Sequence, residues 1–242
     1  FLSRHARGHT LLPSELPQRA NIWALKTLGV ERILAVSAVG SLRQDYRPGH
    51  IVTPHQLIDR TTGTRPNTFF GNGVVAHISF AEPFCSPLRL ATRQAAEEVA
   101  EAHVHRDGVY VVMEGPAFST RAESDLHREW RADLIGMTAL PEAKLAREAE
   151  ICYAMLAAVT DYDTWHDGHE TVDARMVFET LRQNVALSQK VVRKLAAALP
   201  PRSECACPNA LDAALVTSPE IISAENRERL GPVLARRLGG QS

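Results

Sequence analysis

The sequence predicts a single α/β domain with a mixed, mostly parallel central sheet flanked by helices, and three observations carry that prediction. Residues 151–159 form an apolar run with no polar alternation, the pattern of a strand buried on both faces. Shorter runs of the same kind recur at 32–36, 108–113 and 133–135. Between and beyond them lie stretches whose apolar residues recur at steps of three and four, the spacing of one helix face.

In chain order, residues 17–29 read as the first helix, with Ile22, Leu25 and Leu28 on one face and Gly29 placed to end it. The run 32–36 enters a small-residue loop, Ser37-Ala38-Val39-Gly40-Ser41. Pro48-Gly49 marks a turn, and residues 50–59 carry one or two short strands. Residues 60–72 are polar and read as a surface loop, and 74–80 as another strand. Residues 87–103 are helical, with Leu88, Ala91, Ala95 and Val99 on one stripe.

The run 108–113 turns through 114–119 into a charged helix at 120–130, where Thr120 and Glu123 form a capping box. A short helix at 141–148 has Pro in its first turn. The longest helix, 173–199, places Val177, Leu181, Val185, Ser188, Val192, Leu195 and Leu199 at helical spacing, and Pro200-Pro201 stop it. From Cys205 onward the chain is a tail with helical signals at 223–230 and 232–238. The expected organisation is one domain over 1–199 with 200–242 as its tail.

Composition narrows the function. A net charge of -1 offers no field for gripping nucleic acid or anionic lipid. No apolar run approaches the ~20 residues of a membrane span, and no signal peptide is visible, so a cytoplasmic protein is expected. Four cysteines do not make a disulfide framework for 242 residues.

Ligand chemistry gathers where the apolar runs end. The run at 151–159 stops at Thr160-Asp161-Tyr162-Asp163, and two carboxylates at such an edge either meet a ligand or form an ordinary polar turn. If the four runs are neighbouring strands, their ends make one pocket floor. Arg4 and His5, the 37–41 loop and the Thr138 hydroxyl suit an oxyanion, although a solvated Arg-His pair is the plainer reading. The acidic and histidine-rich segment 161–170 admits a divalent metal, but no HExxH motif or cysteine cluster accompanies it, and no metal is expected. Cys205-Ala206-Cys207 reads as plain thiols or a labile disulfide rather than a structural bridge.

Arg4-His5, His9, QRANIWALK (18–26), SAVGSLR (37–43), PGHIV (48–52), IDRTT (58–62), AEPFC (81–85), EGPAFSTRAES (114–124), ADLIGMTALPEAKLAREAEICYA (132–154) and TDYDTW (160–165) together resemble the trimeric purine nucleoside phosphorylase superfamily. Within it they are most similar to the branch that cleaves 5′-methylthioadenosine. The resemblance implies that Arg4, His5, Ser37, Ala38 and Thr138 bind phosphate, that Met137 lies under the ribose, and that Phe118 and Ser119 contact the purine. It implies that Thr160, Asp161 and Asp163 read the purine N7 and 6-amino edge, with Asp161 and Asp163 as the catalytic carboxylates. His77 is implied to be lent by a neighbouring subunit to the 5′-alkylthio group, whose pocket Val177 lines. The implied assembly is a homotrimer acting on a nucleoside and phosphate without a cofactor.

Two departures accompany the resemblance. The chain starts at Phe1 without Met and lacks the strand and phosphate loop that the family carries upstream of the Arg-His pair, so an N-terminally truncated member with weakened phosphate binding is expected. Gly136 stands where the methylthioadenosine branch has Asn, a trait of 6-oxopurine relatives, whereas Asp161 and Asp163 suit a 6-aminopurine, because a carboxylate accepts from an amino group. A methylthioinosine or general purine nucleoside phosphorylase, or an inactive purine-binding homologue, therefore stands beside the methylthioadenosine reading.

Overall fold

The structure is a computed structural model that describes residues 1–99, 103–166 and 174–239, without the side chains of 174–179, 181, 183 and 203. Its strands are β1 (Arg32–Ser41), β2 (Ile51–Val52), β3 (Gln56–Arg60), β4 (Val104–His105), β5 (Val109–Met113), β6 (Leu134–Gly136) and β7 (Cys152–Asp161). Its α-helices are α1 (Gln18–Thr27), α2 (Ser86–Glu97), α3 (Arg121–Glu129), α4 (Glu142–Glu148), α5 (Ala174–Ala197) and α6 (Ala224–Leu234). The strands form one seven-stranded sheet in the order β3-β5-β6-β1-β7-β2-β4.

β7 is the axis of this sheet, and all ten of its residues are buried. Its side chains alternate between two layers, as a strand's period of two requires. Tyr153, Met155, Ala157 and Val159 join a core with Ile22 of α1 and Ala143, Leu145 and Ala146 of α4. Cys152, Ala154 and Leu156 face Leu88, Ala95 and Ala96 of α2 and Val191 and Leu195 of α5. Fully burying a Leu- or Met-sized side chain stabilises by about 1.5–3 kcal/mol, so the two helix layers anchor β7 from both sides.

The sheet is mixed and mostly parallel. The pairs β1–β7, β2–β4, β3–β5 and β5–β6 are parallel, whereas β1–β6 and β2–β7 are antiparallel. The four apolar runs are indeed consecutive neighbours, β5-β6-β1-β7. Their ends do not share one edge, however, because β6 runs against β1, with Gly40 opposite Ile135 and Ser41 opposite Leu134. The chain after β6 therefore travels back along β1, which places Thr138 beside Ser37 in mid-strand rather than at a strand end.

Several local expectations change for physical reasons. Residues 37–41 are strand, not loop, because β1 pairs with β7 as far as Gly40 and with β6 at Gly40 and Ser41. Residues 74–80 form no strand; two isolated bridges, Gly71 to Val74 and Ala76 to Leu215, are too few hydrogen bonds for a ladder. The polar stretch 60–72 is not all surface, since Arg65, Phe69 and Phe70 are buried. The helix expected at 87–103 stops at Glu97. The two helical signals of the tail merge into α6, which breaks at Gly231 with φ 35°.

The capping expectation is met. Thr120 accepts from the Glu123 N–H at 3.2 Å while the Glu123 carboxylate accepts from the Thr120 N–H at 2.8 Å. Gly29, at φ 72°, follows the C-cap Leu28. No helix of the described residues is long and apolar enough to cross a membrane.

Candidate active site

The site stretches along β1, from Ser37 at one end to Gly40 at the other. At the Ser37 end, Thr138 is the hub. Arg4 Nη1 donates to Thr138 Oγ1 at 3.0 Å, and the Ser37 hydroxyl lies 3.1 Å from the same oxygen. The Ser37 hydroxyl also donates to the Ala38 carbonyl at 3.2 Å. The other Arg4 nitrogen, Nη2, donates to Glu142 Oε2 at 3.1 Å, and the Tyr153 hydroxyl donates to that same oxygen at 2.8 Å. Burial opposes the Arg4 charge, but Glu142, Tyr153 and Tyr110 outweigh it and hold the Arg4 pKa above its usual value. Glu142 was not anticipated, because its partner lies 138 residues away and only the fold joins them.

His5 is half-buried beside Arg4, with Nδ1 2.8 Å from the Leu11 carbonyl and its ring stacked on His9 at 4.2 Å. Burial first, and the neighbouring His9 and Arg4 charges next, push its pKa down. This end thus combines a fixed guanidinium, two hydroxyls and an imidazole, a donor set suited to an oxyanion.

At the Gly40 end the register of β1 against β7 slips. Val39 pairs with Val159, but Gly40 pairs with Asp161, so Thr160 is an extra residue in β7. Such a bulge bends a strand and re-aims its side chains, and it recurs next to active sites. Here it brings Asp161 over Gly40. A Cβ on Gly40 would meet Asp161 Oδ1 at 2.9 Å, Ile135 Cγ2 at 3.1 Å and Asp163 Cβ at 3.5 Å, so only glycine fits without a shift.

Thr160 Oγ1 donates to Asp161 Oδ2 at 2.8 Å. Burial, and then the nearby Asp163 charge, raise the Asp161 carboxyl to a pKa of about 6 against the pull of Thr160. Burial raises Asp163 as well, although the Ser124 and Ser119 hydroxyls approach it and His127 faces it. Asp163 Oδ2 makes no hydrogen bond of normal geometry among the described residues. Burial is the largest cause of both shifts and disfavours the charged form of each carboxyl.

The segment after Asp161 is held rigidly. The Trp165 indole donates to the Ser41 carbonyl at 2.8 Å, the Tyr162 hydroxyl donates to the Gln44 carbonyl at 3.2 Å, and Arg128 covers the Trp165 ring at 3.9 Å. His166 stacks on Tyr162 at 4.6 Å, and the rest of the proposed metal segment, 167–170, lies outside the described residues.

Between the two ends lies the Met137 corner. Met137 is partly buried, and its Sδ would be 2.5 Å from a Cβ on Gly115, which has φ +69°. Arg65 fixes this corner: its side chain is only 4 % exposed, and it binds Glu114 Oε1 at 2.6 Å, the Met137 carbonyl at 2.6 Å, the Leu140 carbonyl at 3.0 Å and the Glu114 carbonyl. Sequence reasoning missed Arg65 because it sits in a polar stretch, and a buried arginine is recognisable only from its acceptors. Ser119 is buried, with its hydroxyl 3.9 Å from Met113 Sδ, while Phe118 is exposed.

His77 is exposed, on a segment whose N–H donates to the Ala214 carbonyl at 2.8 Å. Val177 belongs to α5, but its side chain lies outside the described ones. Gly136 has a packing explanation. A Cβ there would lie 2.2 Å from the hydroxyl of the fully buried Tyr110, so this position is glycine because Tyr110 fills the space.

The model of the Phosphorylase superfamily matches residues 8–197. An S-methyl-5′-thioadenosine phosphorylase from Geobacter sulfurreducens is 53% identical over 97% of this chain and 82% of its own length. One from Chloroflexus aurantiacus is 56% identical over 98% and 82%. Among solved structures, a methylthioadenosine phosphorylase from an antarctic soil metagenomic library aligns with a TM-score of 0.90 at 47% identity, covering 97% of this chain and 82% of that one. The Schistosoma mansoni methylthioadenosine phosphorylase in complex with adenine aligns at 0.83 and 38% identity, covering 88% and 82%.

Proposed function

Because this chain belongs to the Phosphorylase superfamily, we propose that it cleaves 5′-methylthioadenosine with inorganic phosphate, giving adenine and 5-methylthioribose 1-phosphate. The observation that carries the reading is the buried Asp161–Asp163 pair at Gly40, farther along β1 from the Arg4–Thr138–Ser37 cluster. One end suits an anion and the other a base edge that both donates and accepts.

In this reading phosphate rests on Arg4, His5, the Ser37 and Thr138 hydroxyls and the backbone at Ala38. One of its oxygens forms the new bond to C1′ as the bond from C1′ to purine N9 breaks. The leaving base keeps the electron pair and takes a proton at N7 from Asp161, whose pKa of about 6 leaves a useful neutral fraction near neutrality. General acid help of this kind is worth about 10²–10⁴-fold, and positioning of the phosphate supplies much of the rest. Asp163 accepts from the 6-amino group, Thr160 orients Asp161, Phe118 and Ser119 border the purine, and Met137 lies under the ribose. Phosphate is a co-substrate, and no organic cofactor or metal acts at the reacting bond.

The assembly proposed is a homotrimer in which the exposed His77 reaches a neighbour's alkylthio pocket lined by Val177. Closed cyclic symmetry is what such a shared residue requires. Gly136 lends no weight to a 6-oxopurine substrate, because Tyr110 accounts for it.

The test compares phosphate-dependent release of adenine from 5′-methylthioadenosine with release of hypoxanthine from 5′-methylthioinosine. A preference for the 6-amino substrate of at least about 10²-fold is expected, since a site built to pair with one hydrogen-bonding edge rejects the unmatched one. Equal rates, or release without phosphate, would overturn the reading.

A further inference from the structure

We propose that Cys85, Cys152, Cys205 and Cys207 form a tetrathiolate site for one soft divalent metal ion, zinc by preference, which staples the C-terminal tail to the sheet. The four sulfur atoms all lie within 4.8 Å of one another. A tetrahedral zinc with bonds of about 2.3 Å sets its sulfurs about 3.8 Å apart, so the cluster needs to contract by at most about 1 Å to close on an ion. Cys152 and Cys205 are already 3.5 Å apart.

The four thiols come from three separate segments. Cys85 is the N-cap of α2, Cys152 is the first residue of β7, Cys205 is the C-cap of the 3-10 turn Arg202–Glu204, and Cys207 opens the next turn, Cys207–Asn209. Three of them are buried, with Cys205 at the rim, which leaves a path by which an ion enters. All four are free thiols. A disulfide draws two sulfurs to about 2.05 Å and gives the other pair no reason to converge, whereas four mutually close sulfurs match the geometry one ion imposes.

The donor set selects the ion. Four thiolates in tetrahedral array suit zinc and exclude hard, oxygen-seeking cations. A zinc tetrathiolate carries a net charge of about -2. Arg202 stands against Cys152, and the positive N-terminal end of α2 lies at Cys85, so the surroundings offset part of that charge. The sequence offered only the Cys-x-Cys pair of the tail and no metal was expected from it. The other two ligands are supplied by the fold.

The staple has a structural consequence. Just beyond Cys207, Leu211 is fully buried, Ala214 accepts from the His77 N–H and Leu215 bridges Ala76. The ion would thus fix the root of the segment that holds His77 in place.

The experiment uses the whole protein, reduced, stripped of metal under anaerobic conditions and titrated with Co²⁺. About one equivalent should bind, with strong thiolate charge-transfer absorption and the visible bands of tetrahedral cobalt, and added Zn²⁺ should erase both. The Cys205→Ser/Cys207→Ser double variant should lose these bands. Because that variant can fail to fold, a second measurement uses the unaltered protein: zinc should slow alkylation of all four cysteines by at least about tenfold. Absent or octahedral cobalt spectra overturn the proposal. So do alkylation rates that ignore zinc, and so does an isolated protein whose intact mass lacks disulfide hydrogens and whose reduced form binds no Co²⁺.

Discussion

The two ends of the site bury charge by opposite means. At the Ser37 end a cation, Arg4, is taken out of water together with Glu142, and a tyrosine and a threonine complete the hydrogen bonds. At the Gly40 end two carboxyls are taken out of water with hydroxyls for company and, among the described residues, no lysine or arginine bonded to them. Pairing keeps the first end charged, and isolation pushes the second toward neutrality. A reaction that brings an anion to one end and draws a proton from the other needs both conditions, and one strand supplies them.

The largest expected effect comes from removing the proton donor. Asp161→Asn should lower kcat/KM for 5′-methylthioadenosine by about 10²–10⁴-fold. Asp163→Asn should instead shift the preference toward the 6-oxo analogue, because an amide donates where that carboxyl accepted from the 6-amino group. Steady-state kinetics on both nucleosides reads this, and an unchanged ratio in Asp163→Asn would show that Asp163 does not read the 6-amino edge. In the parent enzyme, kcat/KM should fall as pH rises beyond about 6, the pKa that burial gives Asp161. The same limb should vanish in Asp161→Asn.

The next effect lies at the other end. Arg4→Ala should raise the KM for phosphate and lower kcat/KM for phosphate by about 10²–10³-fold, the typical cost of one lost preorganised donor. Base preference should stay unchanged, so a shift in both would mean that the two ends are not separable. Gly40→Ala tests the separation from the opposite side. Its methyl group would stand 2.9 Å from Asp161 Oδ1. The nucleoside kcat/KM should drop by roughly 10²-fold through misplacement alone, with phosphate affinity, measured by calorimetry, retained.

The smallest effect is on stability. Burial raises the Asp161 pKa from 3.8 to about 6. A raised acid stabilises the fold fully below its unfolded pKa, and that contribution is lost as pH rises through the folded value. Asp161→Asn should therefore gain on the order of 1–3 kcal/mol relative to the parent above pH ~6, and nothing comparable below pH ~4. Urea unfolding of both proteins at the two pH values measures it, and a difference independent of pH would show that the carboxyl is not held neutral.

Much of the fold was legible because it is written locally. The apolar run of β7, the Thr120–Glu123 capping box and Gly29 after α1 each depend on residues a few positions apart. What was not legible depends on distant partners. The antiparallel entry of β6 is fixed by its pairing with Gly40 and Ser41, some ninety residues earlier. Arg65 finds its acceptors at Met137 and Leu140, 72 and 75 residues on. The candidate site splits the same way. Asp161 and Asp163 stood out at the end of an apolar run, but Glu142 looks like any acid in a helix's first turn until Arg4 is seen bonded to it. Gly136 misled because its reason is the hydroxyl of Tyr110 rather than a substrate.

The long reach of the Arg4 contacts also sets a clock on the ribosome. Arg4 waits for Thr138, 134 residues behind it, before its cluster can form. At synthesis rates of about 5–20 residues per second, that delay is roughly 7–27 s. For that interval a guanidinium destined for burial stays in water, without the partners that later hold it. The oxyanion end of the site is therefore completed late, after most of the sheet has emerged, and a nascent chain released early would carry the strands without the means to hold the anion.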